Sequence, residues 1–180
     1  MVIVADHEDT GHEGGTAMAF QGEVLSVSEL MRRSDAQSHV VPTDAGVRHT
    51  AAANAARITD LLRAGEPAAA AWRFGILQTL DDYRSTLRRG GATAAAGVFA
   101  DEPALTGSQE LDAAFAALAD HLAATDGWTP PEWAAQPARS LPGAWFATTP
   151  DLFRDEAVSD SPPAFRKRGI FITRYALSRA

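Results

Sequence analysis

Apolar residues recur at helical spacing along most of this chain, and glycine and proline cut the pattern into segments. From Val47 to Ala64, residues Val47, Ala51, Ala55, Ile58, Leu61 and Leu62 return at steps of three and four, and Gly65 stops the run. Arg48, Arg57, Asp60 and Arg63 fall largely off that stripe. Pro67 suits the first turn of a second helix reaching Arg89, with Trp72, Ile76, Leu80, Tyr83 and Leu87 on one stripe and Gly90-Gly91 closing it. The short connector predicts antiparallel packing of the two as a helical hairpin. After a shorter alanine-rich turn over Ala92 to Ala100, Thr106-Gly107-Ser108-Gln109 reads as a capping box. It opens a helix to about Thr125, with Leu111, Phe115, Leu118 and Leu122 inward and Gly127 past its end.

The flanks differ in character. Beyond Gly127, Pro130-Pro131, Pro137, Pro142 and Pro150 punctuate Trp128, Trp133, Trp145 and Phe146, which allows only short helical pieces. Asp151 to Val158 and Pro162 to Arg168 read as short helices, Gly169 to Thr173 as an extended crossing, and Tyr175 to Arg179 as a final turn. At the other end, Met1 to Glu23 holds acidic residues and no basic one, with no apolar period to bury, and reads as a disordered acidic arm. Ser26 or Ser28 caps a short helix through Arg33, followed by a loop over Ser34 to Gly46. The expected architecture is all-α: an irregular helical bundle with antiparallel hairpins, a single domain over residues 24–180, and a Pro/Trp-rich C-terminal region of short helices.

Composition narrows the function classes. Alanine fills about a fifth of the chain and alternating β-branched runs are scarce, which agrees with the helical assignment. With no cysteine, disulfides, thiolate metal sites and thiol nucleophiles are all absent, as suits a reducing, cytoplasmic setting. The apolar stretches, such as Pro67 to Trp72, are too short to span a membrane. A formal net charge of -7 argues against nucleic-acid binding by the surface as a whole.

Catalytic and ligand patterns are weak. His7 and His12 stand among Asp6, Glu8, Asp9 and Glu13, but without a helical i, i+4 pair the cluster predicts no metal site. Asp81 and Asp82 are adjacent on a helix, point about a hundred degrees apart and read as a solvated face. His121 and Ser140 lack any nucleophile-elbow context. No glycine-rich phosphate cradle occurs, and no cofactor is expected. Arg48, His49, Asn54 and Arg57 are residue types that contact DNA, but the loop before their helix is far longer than a helix-turn-helix allows.

One segment gathers charge and hydrophobicity together. The last twenty residues hold five basic residues and no acid. Phe165, Ile170 and Phe171 are candidate anchors for a partner, with Arg166, Lys167, Arg168 and Arg174 as a charged rim. Alternatively, those cations satisfy helix C-terminal carbonyls near Gly169 and pair with Asp151, Asp155, Glu156 and Asp160.

The order of features in the second half carries a resemblance. It runs Asp101-Glu102-Pro103-x-Leu105-Thr106-Gly107, then Leu111-Asp112-Ala113-x-Phe115 through His121-Leu122, Gly127, Pro131-x-Trp133 and Trp145-Phe146. Ser161-Pro162-x-Ala164-Phe165-Arg166-x-Arg168-Gly169-Ile170-Phe171-Ile172 ends it. Over about Phe99 to Ala180 the chain resembles a family of small helical actinobacterial proteins of poorly defined role. Some of these are encoded beside nucleotidyltransferase-like toxins, and similar segments are fused to helix-turn-helix regulators. The resemblance implies a non-enzymatic antitoxin or regulatory partner of such a toxin; a nucleic-acid-binding regulator using the same cations is the alternative.

Overall fold

The computed structural model describes residues 26–29, 31–32 and 47–178. The chain divides into two compact units, Met1–Pro42 and Thr43–Ala180. In the first, residues 27–29 and 31–32 are helical, in agreement with the helix expected from Ser26 or Ser28. The acidic arm expected over residues 1–23, its histidines and the loop over 34–46 lie outside the described residues.

The second unit is a bundle of helices joined to a C-terminal region of short turns. Its helices are α1 (Ala51–Arg63), α2 (Ala68–Ala71), α3 (Leu77–Ala96), α4 (Gln109–Asp126), α5 (Arg154–Asp160) and α6 (Pro163–Arg166). Two strands, β1 (Trp145–Phe146) and β2 (Ile170–Phe171), pair in parallel with Trp145 opposite Ile170 and Phe146 opposite Phe171. The all-α assignment holds, and the expected extended crossing is the second of these strands. Among the described residues, no helix is long and apolar enough to cross a membrane.

Helix α4 forms the centre. Every residue from Leu111 to Ala119 is buried, so the helix is enclosed on all sides. It touches α3, α6, β2 and the 3-10 turns at Glu132–Ala135 and Pro137–Arg139. Ser108, rather than Thr106, caps its start by accepting from the Leu111 N–H at 3.4 Å. Thr106 is occupied otherwise: its N–H and hydroxyl both donate to Asp112 Oδ1, at 2.8 and 2.9 Å. Gly127 ends the helix at φ 75°, ψ 34°, a left-handed cap that returns the Trp128 N–H to the Ala123 carbonyl.

The hairpin of α1 with α2 and α3 is antiparallel, as Ile58 meets Gly75 while Asn54 meets Thr79 and Asp82. Between α2 and α3 the backbone widens into a π-helical turn, Trp72–Ile76. A Cβ on Gly75 would stand 1.8 Å from Ile58 Cδ1, so the missing side chain is what lets α1 close down on this turn. Asn54 is buried, and its Nδ2 donates to Thr79 Oγ1 at 3.0 Å and Asp82 Oδ2 at 2.9 Å. Asn54 is therefore an interhelical clamp rather than a base-contacting group, and Asp82 is a half-buried acceptor rather than part of a solvated face. Within α3 the chain bends at Gly91, where φ 74° and ψ -178° suit glycine alone; the expected Gly90-Gly91 break lies here.

The tryptophans close the bundle, and three of the four donate an indole N–H to a partner within it. Trp72 donates to the Ala176 carbonyl at 3.3 Å, Trp133 to that of Phe99 at 3.0 Å, and Trp128 to the Tyr83 hydroxyl at 2.9 Å. The Tyr83 hydroxyl donates in turn to Asp126 Oδ2 at 2.6 Å. Burial, followed by that bond to a carboxylate, pushes the Tyr83 phenol up to about 12.

Close approach at Gly75 gives the first prediction. Gly75→Ala overfills a contact in which Ile58 is fully buried, and lowers unfolding free energy by about 2 kcal/mol. Gly143→Ala, where an added Cβ meets nothing within 4 Å, changes it by about 0.5 kcal/mol or less. Urea denaturation of the two variants checks the contrast.

Candidate functional site

The basic segment leaves α5 through Ser161 and turns at Pro162-Pro163 into the single turn of α6. Ser161 is buried: its hydroxyl accepts from the Ile172 N–H at 2.8 Å and reaches the Ala157 carbonyl at 2.6 Å. This staple folds β2 back beside the end of α5. Gly169, at φ 77°, makes the intervening turn, and a Cβ there would lie 2.6 Å from the Gly143 carbonyl oxygen. The turn delivers Ile170 and Phe171 to β1.

The segment's residues divide between interior and surface. Phe165 and Ile170 have no exposed surface and belong to the core around α4, so they are not available as surface anchors. Phe171 is half-buried, its ring stacked on Phe146 at 5.2 Å, and the guanidinium of Arg154 lies 5.0 Å from the centre of the Phe146 ring. Arg168 is 4% exposed and donates to the carbonyls of Ala164 at 3.0 Å and Ala134 at 2.6 Å. This arginine satisfies helix-end carbonyls and belongs to the fold. Arg166 and Lys167 remain exposed, with Arg166 Nη2 donating to the Ser161 carbonyl at 2.9 Å.

Asp120, from α4, faces this cation pair. Lys167 Nζ and Arg168 Nη2 each stand 2.6 Å from Asp120 Oδ2. That oxygen receives no aligned hydrogen bond among the described residues, so proximity of charge rather than bond geometry holds the group. Asp120 is the residue that a reading of sequence alone leaves out. Its signal was a carboxylate within the apolar run Leu111 to Ala123 that, unlike Asp112 near the helix start, has no neighbouring cap residue to donate to it and so calls for a cation from elsewhere.

Arg174 is held apart from the triplet, by Asp160. Its Nε and Nη2 donate to the two carboxylate oxygens at 3.0 and 3.2 Å, a two-point clasp. Those side-chain bonds lower the Asp160 carboxyl below its ordinary range and raise the Arg174 guanidinium. Because the folded value of Asp160 is the lower one, the clasp is complete above the usual carboxylate range and is lost as pH falls through the folded value. Of the acids expected to pair with the segment, Asp160 does so, whereas Asp151 pairs with Arg154 at 2.7 Å.

Beside Lys167 lies a shallow groove of about 340 Å³. Trp128, Pro130, Pro163 and Ala164 give it an apolar lining, and Asp120 and Lys167 supply its charge. Trp128 is half-buried, stacked on Phe99 at 5.9 Å. Among the described residues, no group of three or more His, Asp or Glu is placed to hold a metal ion.

The internal role of Arg168 gives the second prediction. Asp120→Asn leaves a buried guanidinium without its opposing charge and lowers unfolding free energy by about 3 kcal/mol. Lys167→Ala, at an exposed position, changes it by about 0.5 kcal/mol or less. Thermal or urea unfolding of both variants checks the difference. Comparison with protein-family models, curated proteins and solved structures finds no match.

Proposed function

We propose that this chain is a non-enzymatic protein-binding module that docks an acidic, apolar-faced segment of a partner protein along the Trp128 groove. The observation that carries the proposal is the juxtaposition of an apolar Trp/Pro lining with the exposed Lys167 of a basic triplet, in a chain of net charge -7. Among the described residues, Asp120 is the carboxylate facing the Arg166-Lys167-Arg168 triplet, and buried Arg168 offsets it. With one carboxylate against three cations, the triplet keeps net positive charge, carried by Lys167 in the groove lining and by exposed Arg166 next to it in the chain. Charge of this kind steers an acidic partner and sets its register, while the aromatic floor supplies contact area. The role that the resemblance over Phe99 to Ala180 supports is that of an antitoxin, or regulatory partner, of a nucleotidyltransferase-like toxin.

The docking surface in this proposal differs from the one the sequence suggested. Phe165 and Ile170 belong to the core and Arg168 is buried beside Asp120, while Lys167 lines the groove and exposed Arg166 precedes it in the chain. A nucleic-acid partner fits less well, because phosphate binding draws on many cations at once and Arg174 is already clasped to Asp160.

The double variant Arg166→Glu/Lys167→Glu reverses the charge at two exposed positions and keeps the fold. We expect wild-type chain to capture one stoichiometric, nuclease-resistant acidic protein from lysate of its native source, and the double variant to lose it by at least about tenfold. Equal capture by both, or material released by nuclease, contradicts the proposal.

A further inference from the structure

A second cleft, of about 390 Å³, opens on a neighbouring stripe of α4, where His121 and Leu122 rather than Asp120 and Ala123 face outward. The C-terminal residues after β2 form its far wall. Leu80, Leu122 and Ile172 give it an apolar floor, all three being buried side chains that reach its surface. Arg84, from α3, and the clasped pair Asp160–Arg174 stand at its edge. The volume lies within the range of small-molecule sites, as does an apolar floor with a few polar groups.

The charge balance of the cleft selects a class of ligand. Arg174 is neutralised by Asp160 through both carboxylate oxygens. Arg84 is exposed, and among the described residues no carboxylate pairs with it; its Nη2 has one long contact, 3.5 Å to the Leu177 carbonyl. His121 is half-buried, its ring edge-on to Phe165 at 6.1 Å. Burial lowers its pKa, against an opposing effect of Asp126 and aided by Arg84, so the imidazole is neutral near pH 7. Asp126 does not line the cleft, and it is engaged by the Tyr83 hydroxyl. The cleft thus offers one free guanidinium, a neutral imidazole able to donate one hydrogen bond, and an apolar floor.

We propose that this cleft binds a small amphiphilic monocarboxylate, its carboxylate on Arg84 and His121 and its hydrocarbon on Leu80, Leu122 and Ile172. An arginine fork matches a carboxylate in two-point geometry. A single negative charge balances the site, and a neutral imidazole adds a donor without adding a second charge. The inference stands independently of the partner proposed for the Trp128 groove, since it uses different side chains and a different ligand.

The test uses octanoate as probe, with octylammonium as a tail of equal length and opposite charge. Titration of the full chain is followed by the side-chain NMR signals of His121, assigned by their loss in His121→Gln. We expect octanoate to shift those signals to saturation, octylammonium to leave them in place, and Arg84→Gln to weaken octanoate by at least about tenfold. Arg84 is exposed, so its replacement leaves the fold intact, which the unchanged amide spectrum verifies. No movement of the His121 signals at millimolar octanoate overturns the proposal. Equal affinity for octylammonium, or equal octanoate affinity in Arg84→Gln, overturns it as well.

Discussion

A helix buried on every side governs the second unit. Along most of its length α4 presents alanine, leucine and phenylalanine in all directions, and elements on each side must cover it. The hairpin of α1 with α2 and α3 covers part. The rest falls to the proline-rich region, whose 3-10 turns, short helix α6 and strand β2 are each too small to hold a shape alone. Their conformations persist because the apolar surface of α4 leaves water only when they lie against it. Alanine at Ala113, Ala114, Ala116, Ala117 and Ala119 keeps the helix slim, so backbone turns such as Glu132–Ala135 can approach it closely.

That enclosure explains how the cations are used. Arginine is tolerated in such an interior only where carbonyls and opposite charges receive it, and Arg168 and Arg139 meet that condition differently. Arg168 caps carbonyls of Ala164 and Ala134 beside Asp120. Arg139 is 1% exposed, lies over the Trp133 ring at 5.1 Å, and donates to the Pro103 carbonyl and to Glu102 Oε1. Both tie the irregular C-terminal region to the α4 end of the bundle. A triplet that looks uniform in sequence therefore has one member committed to the fold and two exposed, of which Lys167 lines a groove.

What the sequence disclosed was set by local physics. The stripe Trp72, Ile76, Leu80 and Tyr83 is buried as its spacing required, Gly127 adopts the left-handed cap, and Gly91 breaks α3. The cap at the start of α4 lies two residues later than residue types suggested: Ser108 accepts the Leu111 N–H, while Thr106 ties the preceding turn to Asp112. The π-helical turn and the Asn54–Asp82 clamp depend on α1 pressing against Gly75, which is a fact of three dimensions. The basic segment was legible as a place where charge meets apolar surface, while its division was not, because burial of Phe165, Arg168 and Ile170 follows from α4 and β1 lying behind them. Asp120 was the clue: a carboxylate deep in the apolar part of the helix, away from the cap that serves Asp112, calls for a cation elsewhere in the chain.

Native-state hydrogen exchange tests the central position of α4 most directly. If every other element depends on covering this helix, the amides of Leu111 to Ala119 exchange only by global unfolding, more slowly than those of α1 or of α3 beyond its Gly91 bend. Exchange in α4 as fast as in α1, while α3 stays protected, would contradict the account and move the organising core to the hairpin.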